Sequence, residues 1–340
     1  MSLWIINLLT ALLSFVIAGV SGIFLVPFLH KIKFGQPIKT EDGPKWHAKK
    51  QGTPTMGGFM FIISTVITAI VGYWIYRLRN GLDTTDSASF HPFYRLLAVI
   101  VFSALFGLIG FIDDYTKVAR KHNDGLSVKQ KIVLQLICSF VFLFIIAKFG
   151  DGSTKIDLGF WVSPSLGIFY YILMIPVIIY LTNAVNLTDG VDGLCGSVTF
   201  VAMLVFTICC AKLGEREVSC FTMALAGGCL GFLIWNFNPA KCFMGDTGSL
   251  AIGGGIAALA LLTKTEILLI ILGGVYVAEA ASVIMQVSYF KYTHGKRIFR
   301  MTPIHHHFEL GGWKETKVVS VFTIVSCVLC AIGYGLWLIK

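Results

Sequence analysis

The stretch LWIINLLTALLSFVIAGVSGIFLVPFLHKIK, residues 3–33, decides the fold class. From Leu3 to Leu29 it carries no charged side chain, and His30, Lys31 and Lys33 follow at once. A helix of that length crosses the roughly 30 Å hydrocarbon core of a bilayer. No basic leader precedes the run, so it reads as an uncleaved helix that starts outside and ends at a cytoplasmic basic cluster.

Comparable runs recur along the whole chain: Met56 to Tyr76, Phe93 to Ile112, Ile132 to Ala147, Leu166 to Leu181, Gly196 to Ala211, Phe221 to Trp235, Ser249 to Leu262, Ile267 to Phe290 and Val318 to Leu338. With 56% hydrophobic residues, 13% charged residues and a mean hydropathy of +0.79, a soluble globule with a polar surface is excluded. The expected fold is an all-α polytopic membrane protein, one integral domain over residues 1–340 with about ten transmembrane helices. Residues 151–163 (DGSTKIDLGFWVS) alternate weakly and suggest a small external β-hairpin.

Counting from an external N-terminus, the internal loops hold 18 of the 27 lysines and arginines. This bias favours an arrangement with both termini outside. The loops at about 30–56, 113–131, 182–195, 236–248 and 291–317 then share the cytoplasmic face. The net charge of +9 is explained by anionic lipid and membrane orientation, with a share left for substrate phosphates. Nucleic acid is not an expected partner. The nine cysteines lie mostly in apolar spans and lack zinc-ligand spacing outside them, so they read as packing residues.

Acidic side chains are scarce in the spans and return in short islands at their ends. A carboxylate costs roughly 2.5–3.5 kcal/mol at a bilayer centre on insertion scales, so acids kept at membrane edges suggest a task such as holding a cation. Asp113 and Asp114 are read as closing the third helix, with Lys117 one turn on and Lys129 and Lys131 opening the fourth. Neighbours on a helix point about 100° apart, so the two carboxylates are expected to do different jobs, or to be no more than a solvated helix end.

Asn186, Asp189 and Asp192 stand with Gly190 and Gly193 in a turn that suits a sugar or nucleotide pocket, or an ordinary Asx-rich turn. Asp246 comes just before an apolar helix that Thr247 or Ser249 could cap, and Asp246 itself could be a plain N-cap. His305, His306 and His307 cannot all ligate one metal from a regular helix, which leaves contact with phosphate or an unspecific exposed role. Around residues 43–58, Lys50 and a Gly- and Thr-rich turn containing Thr53 could cradle phosphate. Carboxylates, lysines and glycines gathered on one membrane face have the composition of a magnesium-assisted phosphoryl-transfer site.

Taken in order, GTPTMGG (52–58), FIDDYTK (111–117), NAVNLTDGVDGL (183–194), NFNPAKCFMGDTGSL (236–250) and PIHHHFE (303–309) closely resemble the motifs of the MraY family. These are phospho-N-acetylmuramoyl-pentapeptide transferases within the polyprenyl-phosphate N-acetylhexosamine-1-phosphate transferases. The resemblance implies transfer of phospho-MurNAc-pentapeptide from UDP-MurNAc-pentapeptide to undecaprenyl phosphate, giving lipid I and UMP with Mg2+ as cofactor. It implies a bacterial cytoplasmic-membrane enzyme of peptidoglycan synthesis, a homodimer, with its site facing the cytoplasm.

By the same carry-over, Asp246 is the expected magnesium ligand. Asp113 and Asp114 lie near the reacting phosphates, and Asp113 is the expected base for the lipid phosphate. Lys117 and Lys129 neutralise phosphate charge. Asn186, Asp189, Asp192, Asn236 and Phe243 line the nucleoside or sugar side, with Phe243 stacking on uracil, and His305 and His306 point toward the diphosphate or sugar. The family's ninth helix is broken, for which Gly273 and Gly274 are the weak points here, and Glu279 is expected to pair inside the bundle. Two alternatives stand beside this reading: a sister transferase using UDP-GlcNAc, and a secondary transporter, which would instead keep its acids near the midplane.

Overall fold

The computed structural model describes residues 2–32, 50–80, 92–120, 125–149, 152–157 and 163–339. Residues 33–49, part of the first internal loop, lie outside the described residues. In chain order the helices are α1 (Leu3–Lys31), α2 (Gly58–Asn80), α3 (Pro92–Arg120), α4 (Val128–Phe149), α5 (Ile168–Thr188), α6 (Leu194–Leu213), α7 (Arg216–Asn236) and α8 (Gly245–Thr263). They continue with α9 (Glu266–Leu272), α10 (Gly274–Tyr292), α11 (Ile304–Glu309) and α12 (Glu315–Leu338).

Nine of the described helices are long and apolar enough to cross a membrane, or ten if α9 and α10, which meet at a bend of 84°, are counted as one broken span. The break falls at Gly273, one of the two expected weak points. The helices run past the expected bounds because polar residues continue them beyond the apolar core. For α3 this matters: Asp113 and Asp114 do not close the helix but sit within it, ahead of its end at Arg120. In the expected hairpin an isolated antiparallel bridge joins Lys155 to Ser165, and no sheet forms among the described residues. Residues 151 and 158–162 lie outside the described residues.

Helix α8 is the central post, with every residue from Thr247 to Thr263 buried. Its glycines, alanines and serine let neighbours approach closely, which is how helices associate where lipid offers no hydrophobic contrast. A Cβ on Gly110 of α3 would lie 2.0 Å from the Asp246 carbonyl oxygen, so α3 crosses the start of α8 at backbone contact. On the periphery, α1 turns Leu8, Leu12 and Phe24 outward and buries a stripe that includes Thr10, Ser14, Ala18 and Gly22. Ser14 donates to Ser64 of α2 at 3.1 Å, and Asn7 donates to Ser219 of α7 at 3.2 Å. Such interhelical bonds contribute on average about 0.6 kcal/mol each in a membrane bundle.

Candidate active site

The five polar islands, far apart in sequence, meet at one end of the bundle. The α3–α8 crossing brings the Asp113, Asp114 and Asp246 carboxylates together, with one oxygen of each lying within 4.8 Å of the others. The three are not equivalent. Asp114 is fully buried, and its Oδ2 accepts from Thr247 N at 2.9 Å and Thr247 Oγ1 at 2.8 Å while Oδ1 accepts from Asp246 N at 3.2 Å. It therefore caps α8 from another helix.

This corrects the expected capping by Thr247 or Ser249. Asp246 is not a plain cap either, because it stands inside the first turn and turns its carboxylate outward. Gly245 makes the arrangement possible: its φ of +71° suits glycine, and a Cβ there would fall 2.5 Å from Asp114 Oδ2.

Asp246 Oδ2 receives Lys131 Nζ at 2.6 Å and Lys117 Nζ at 3.2 Å, and Oδ1 accepts from Asn186 Nδ2 at 2.8 Å. Asp113 Oδ2 faces Lys117 at 2.6 Å and Lys131 at 3.5 Å, while its Oδ1 accepts from Leu126 N at 2.8 Å. Lys131 is thus the α4 lysine that reaches the acids. Lys129 is exposed, and among the described residues it makes no ion pair with them. Both lysines stand at the start of α4 in the sequence, but only the helix's orientation separates them.

The carboxyl groups of the cluster offer only hard oxygen donors, which suit a divalent cation of the magnesium or calcium type. The cluster can hold a metal. Asp246 and Asp113 are the residues that fit the role, since their outer oxygens face only movable lysine heads, whereas Asp114 is committed to backbone and hydroxyl donors.

Beside the acids lies a pocket of about 230 Å³ whose walls include Lys50, Asp189, Asp192, Phe243 and Asp246. Burial, together with the charges of Asp246, Asp114 and Asp192, pushes the Asp189 carboxyl well above the usual carboxylate range.

Asp192 serves as a junction: Lys50 Nζ binds its Oδ1 at 2.7 Å and Glu315 of α12 at 2.6 Å, and Asn238 donates to both acids. Asn236 also borders the pocket, but its side chain is engaged with backbone, accepting from Gly193 N and donating to Cys242 O at 3.0 Å each. Thr53 is absent from the pocket wall, and its place is taken by Thr55 from the same GTPTMGG run. The histidines lie on the six-residue α11. His305 is buried against Glu279, His306 pairs with Glu309 at 2.7 Å, and His307 Nδ1 accepts from Arg300 N at 3.1 Å.

The model of glycosyl transferase family 4 matches residues 96–264, the span from α3 through α8 that holds the acid cluster. Over 339 residues the chain is 47% identical to the phospho-N-acetylmuramoyl-pentapeptide-transferase of Clostridium novyi (strain NT), covering 98% of this chain and 97% of that one. It is 45% identical over 333 residues to the protein of the same name in Shouchella clausii (strain KSM-K16), covering 97% of this chain and 98% of the relative. The chain belongs to the phospho-N-acetylmuramoyl-pentapeptide-transferase family.

Membership makes it a transferase and, with its apolar helices, a multi-pass bacterial membrane protein. Family likeness extends beyond the matched model, since the similarity to the Clostridium novyi protein covers 98% of this chain. Lys131, Thr55, Asn238, Glu315 and Glu279 join the candidate site from the structure. Of these, Lys131 and Thr55 lie within or beside the polar islands, whereas Glu315 has no local signal because its partner Lys50 is 265 residues away.

Proposed function

We propose that this enzyme transfers phospho-MurNAc-pentapeptide from UDP-MurNAc-pentapeptide to undecaprenyl phosphate, forming lipid I and releasing UMP. An oxygen of the lipid phosphate attacks the sugar-bearing phosphorus, the pyrophosphate bond breaks, and the electron pair leaves with UMP. One observation carries the reading: Asp246 sits among Asp113, Lys117, Lys131 and Asn186, contributed by three other helices, at the mouth of a pocket, in a chain of this family. The site lies where a water-borne nucleotide and a lipid-tethered phosphate can meet.

Magnesium is the proposed ion, with Asp246 holding it; when bound, it would offset the charge of the diphosphate and the entering phosphate. Lys117 and Lys131 bind phosphate oxygens once released from the carboxylates. Asp113 accepts any proton remaining on the lipid phosphate. Asp189, Asp192 and Phe243 hold the nucleoside and sugar, and the histidines face the diphosphate or sugar. In-line transfer asks mainly for positioning, which several helix ends fixed around one pocket supply. The distribution of lysine and arginine supports placing this end at the cytoplasmic face of the bacterial membrane. The family resemblance supports a single domain working as a homodimer.

The test is UMP release from purified protein in lipid vesicles given UDP-MurNAc-pentapeptide, undecaprenyl phosphate and magnesium. Release is expected to require all three, and Asp246→Asn is expected to abolish it while leaving the thermal unfolding profile cooperative. Product from UDP-GlcNAc alone, or full activity in Asp246→Asn, would refute the proposal.

A further inference from the structure

Glu279 is a carboxylate in the second turn of α10, and its partner is His305 of α11. Both side chains have no measurable exposure. His305 Nδ1 lies 3.0 Å from Glu279 Oε2, and the His305 backbone N–H donates to the same oxygen at 3.4 Å. Among the described residues, the outer nitrogen, Nε2, has no hydrogen-bond partner. It does have a direction. A Cβ built on Gly190 would fall 2.3 Å from Nε2, and Gly190 is part of the pocket wall between Asp189 and Asp192.

A buried ring nitrogen with no protein partner among the described residues, held against a glycine of the pocket wall, is what a site looks like when the ligand completes it. Glu279 Oε2, 3.0 Å from Nδ1, fixes the orientation of the ring and leaves Nε2 as the nitrogen that a ligand oxygen or hydroxyl can meet.

We propose that Glu279 is a positioning residue of the transferase: it orients the His305 ring so that Nε2 is presented at Gly190 to the sugar-diphosphate part of the substrate. The substrate class rests on the proposed function; the Glu279–His305–Gly190 alignment does not. Glu279→Gln keeps the shape and removes the charge, so kcat/KM for the nucleotide sugar is expected to fall about 10- to 100-fold, the usual range for a group that orients a functional histidine. Calorimetric affinity for the nucleotide sugar should fall with it, while affinity for uridine, which lacks the phosphates and sugar, stays unchanged.

A double-mutant cycle gives the decisive reading. In a His305→Asn background Glu279→Gln should cost nothing further, because its effect runs through the ring. Additive losses, or equal weakening of nucleotide sugar and uridine, would overturn the proposal and leave the pair as a tie between α10 and α11. Should Glu279→Gln fail to fold, Gly190→Ala reads the same alignment from the pocket side. Its methyl displaces Nε2 and is expected to give the same selective loss, again absent in the His305→Asn background. A wild-type enzyme that makes no lipid-linked product refutes the proposed function, whereas an active wild type with an unaffected Glu279→Gln refutes only the role given to Glu279.

Discussion

Asp114 of α3 holds Thr247 of α8 by two hydrogen bonds to one carboxylate oxygen, from the backbone N–H at 2.9 Å and from the hydroxyl at 2.8 Å. The next donor along, Asp246 N, binds the other oxygen. A helix that starts inside a protein must have its first N–H groups satisfied, and here the acceptor comes from a helix more than 130 residues away in sequence. Asp114 thereby fixes where Asp246 stands. Its neighbour Asp113 turns toward the two lysines, so the adjacent carboxylates have different partners.

Asp114→Ala strands buried N–H groups and is expected to cost about 1–3 kcal/mol of stability, together with turnover. Thr247→Val removes only the hydroxyl bond and should cost about 1 kcal/mol with activity largely kept. Asp113→Ala should lose turnover with a much smaller stability change. Thermal unfolding in detergent alongside UMP release separates the three. An Asp114→Ala protein as stable as wild type yet inactive would mean that Asp114 acts on substrate and not on the helix.

Lys131→Ala is expected to lower kcat/KM by roughly 100-fold, the scale of losing one preorganised donor at a reacting phosphate. Lys129→Ala should stay within a few-fold of wild type, because that side chain is exposed and makes no ion pair with the acids among the described residues. Steady-state kinetics on the two variants decide it, and the reverse ranking would return the role to Lys129.

Lys50→Met leaves Asp192 and Glu315 facing each other without the ammonium that now lies 2.7 and 2.6 Å from them. The pair is partly solvated, so the expected loss is about 1–3 kcal/mol, below that of breaking a fully buried ion pair. Glu315→Gln in the same chain should restore part of that stability by removing the repulsion. Unfolding midpoints of the single and double variants test this, and a double variant less stable than Lys50→Met would contradict the charge argument.

Hydropathy made the helices legible, because the lengths of apolar runs and the cost of a charge in hydrocarbon are local properties of a chain. The break at Gly273 was expected from the family resemblance, and Asp246 was marked out by the scarcity of acids around it. The partners were not readable. Which α4 lysine reaches Asp246, and whether Asp114 meets substrate or a helix end, depend on how α3, α4 and α8 are rotated against one another. That rotation follows from close crossings such as Gly110 on the Asp246 carbonyl.

The sequence by itself determined a bundle of apolar helices with its chemistry gathered at helix ends, since each span must satisfy its own backbone in lipid wherever its neighbours lie. Tertiary structure alone decided the division of labour among Asp113, Asp114 and Asp246 and the pairing of Glu279 with His305. Those contacts join segments far apart in the chain, and only packing brings their hydrogen-bonding groups into register.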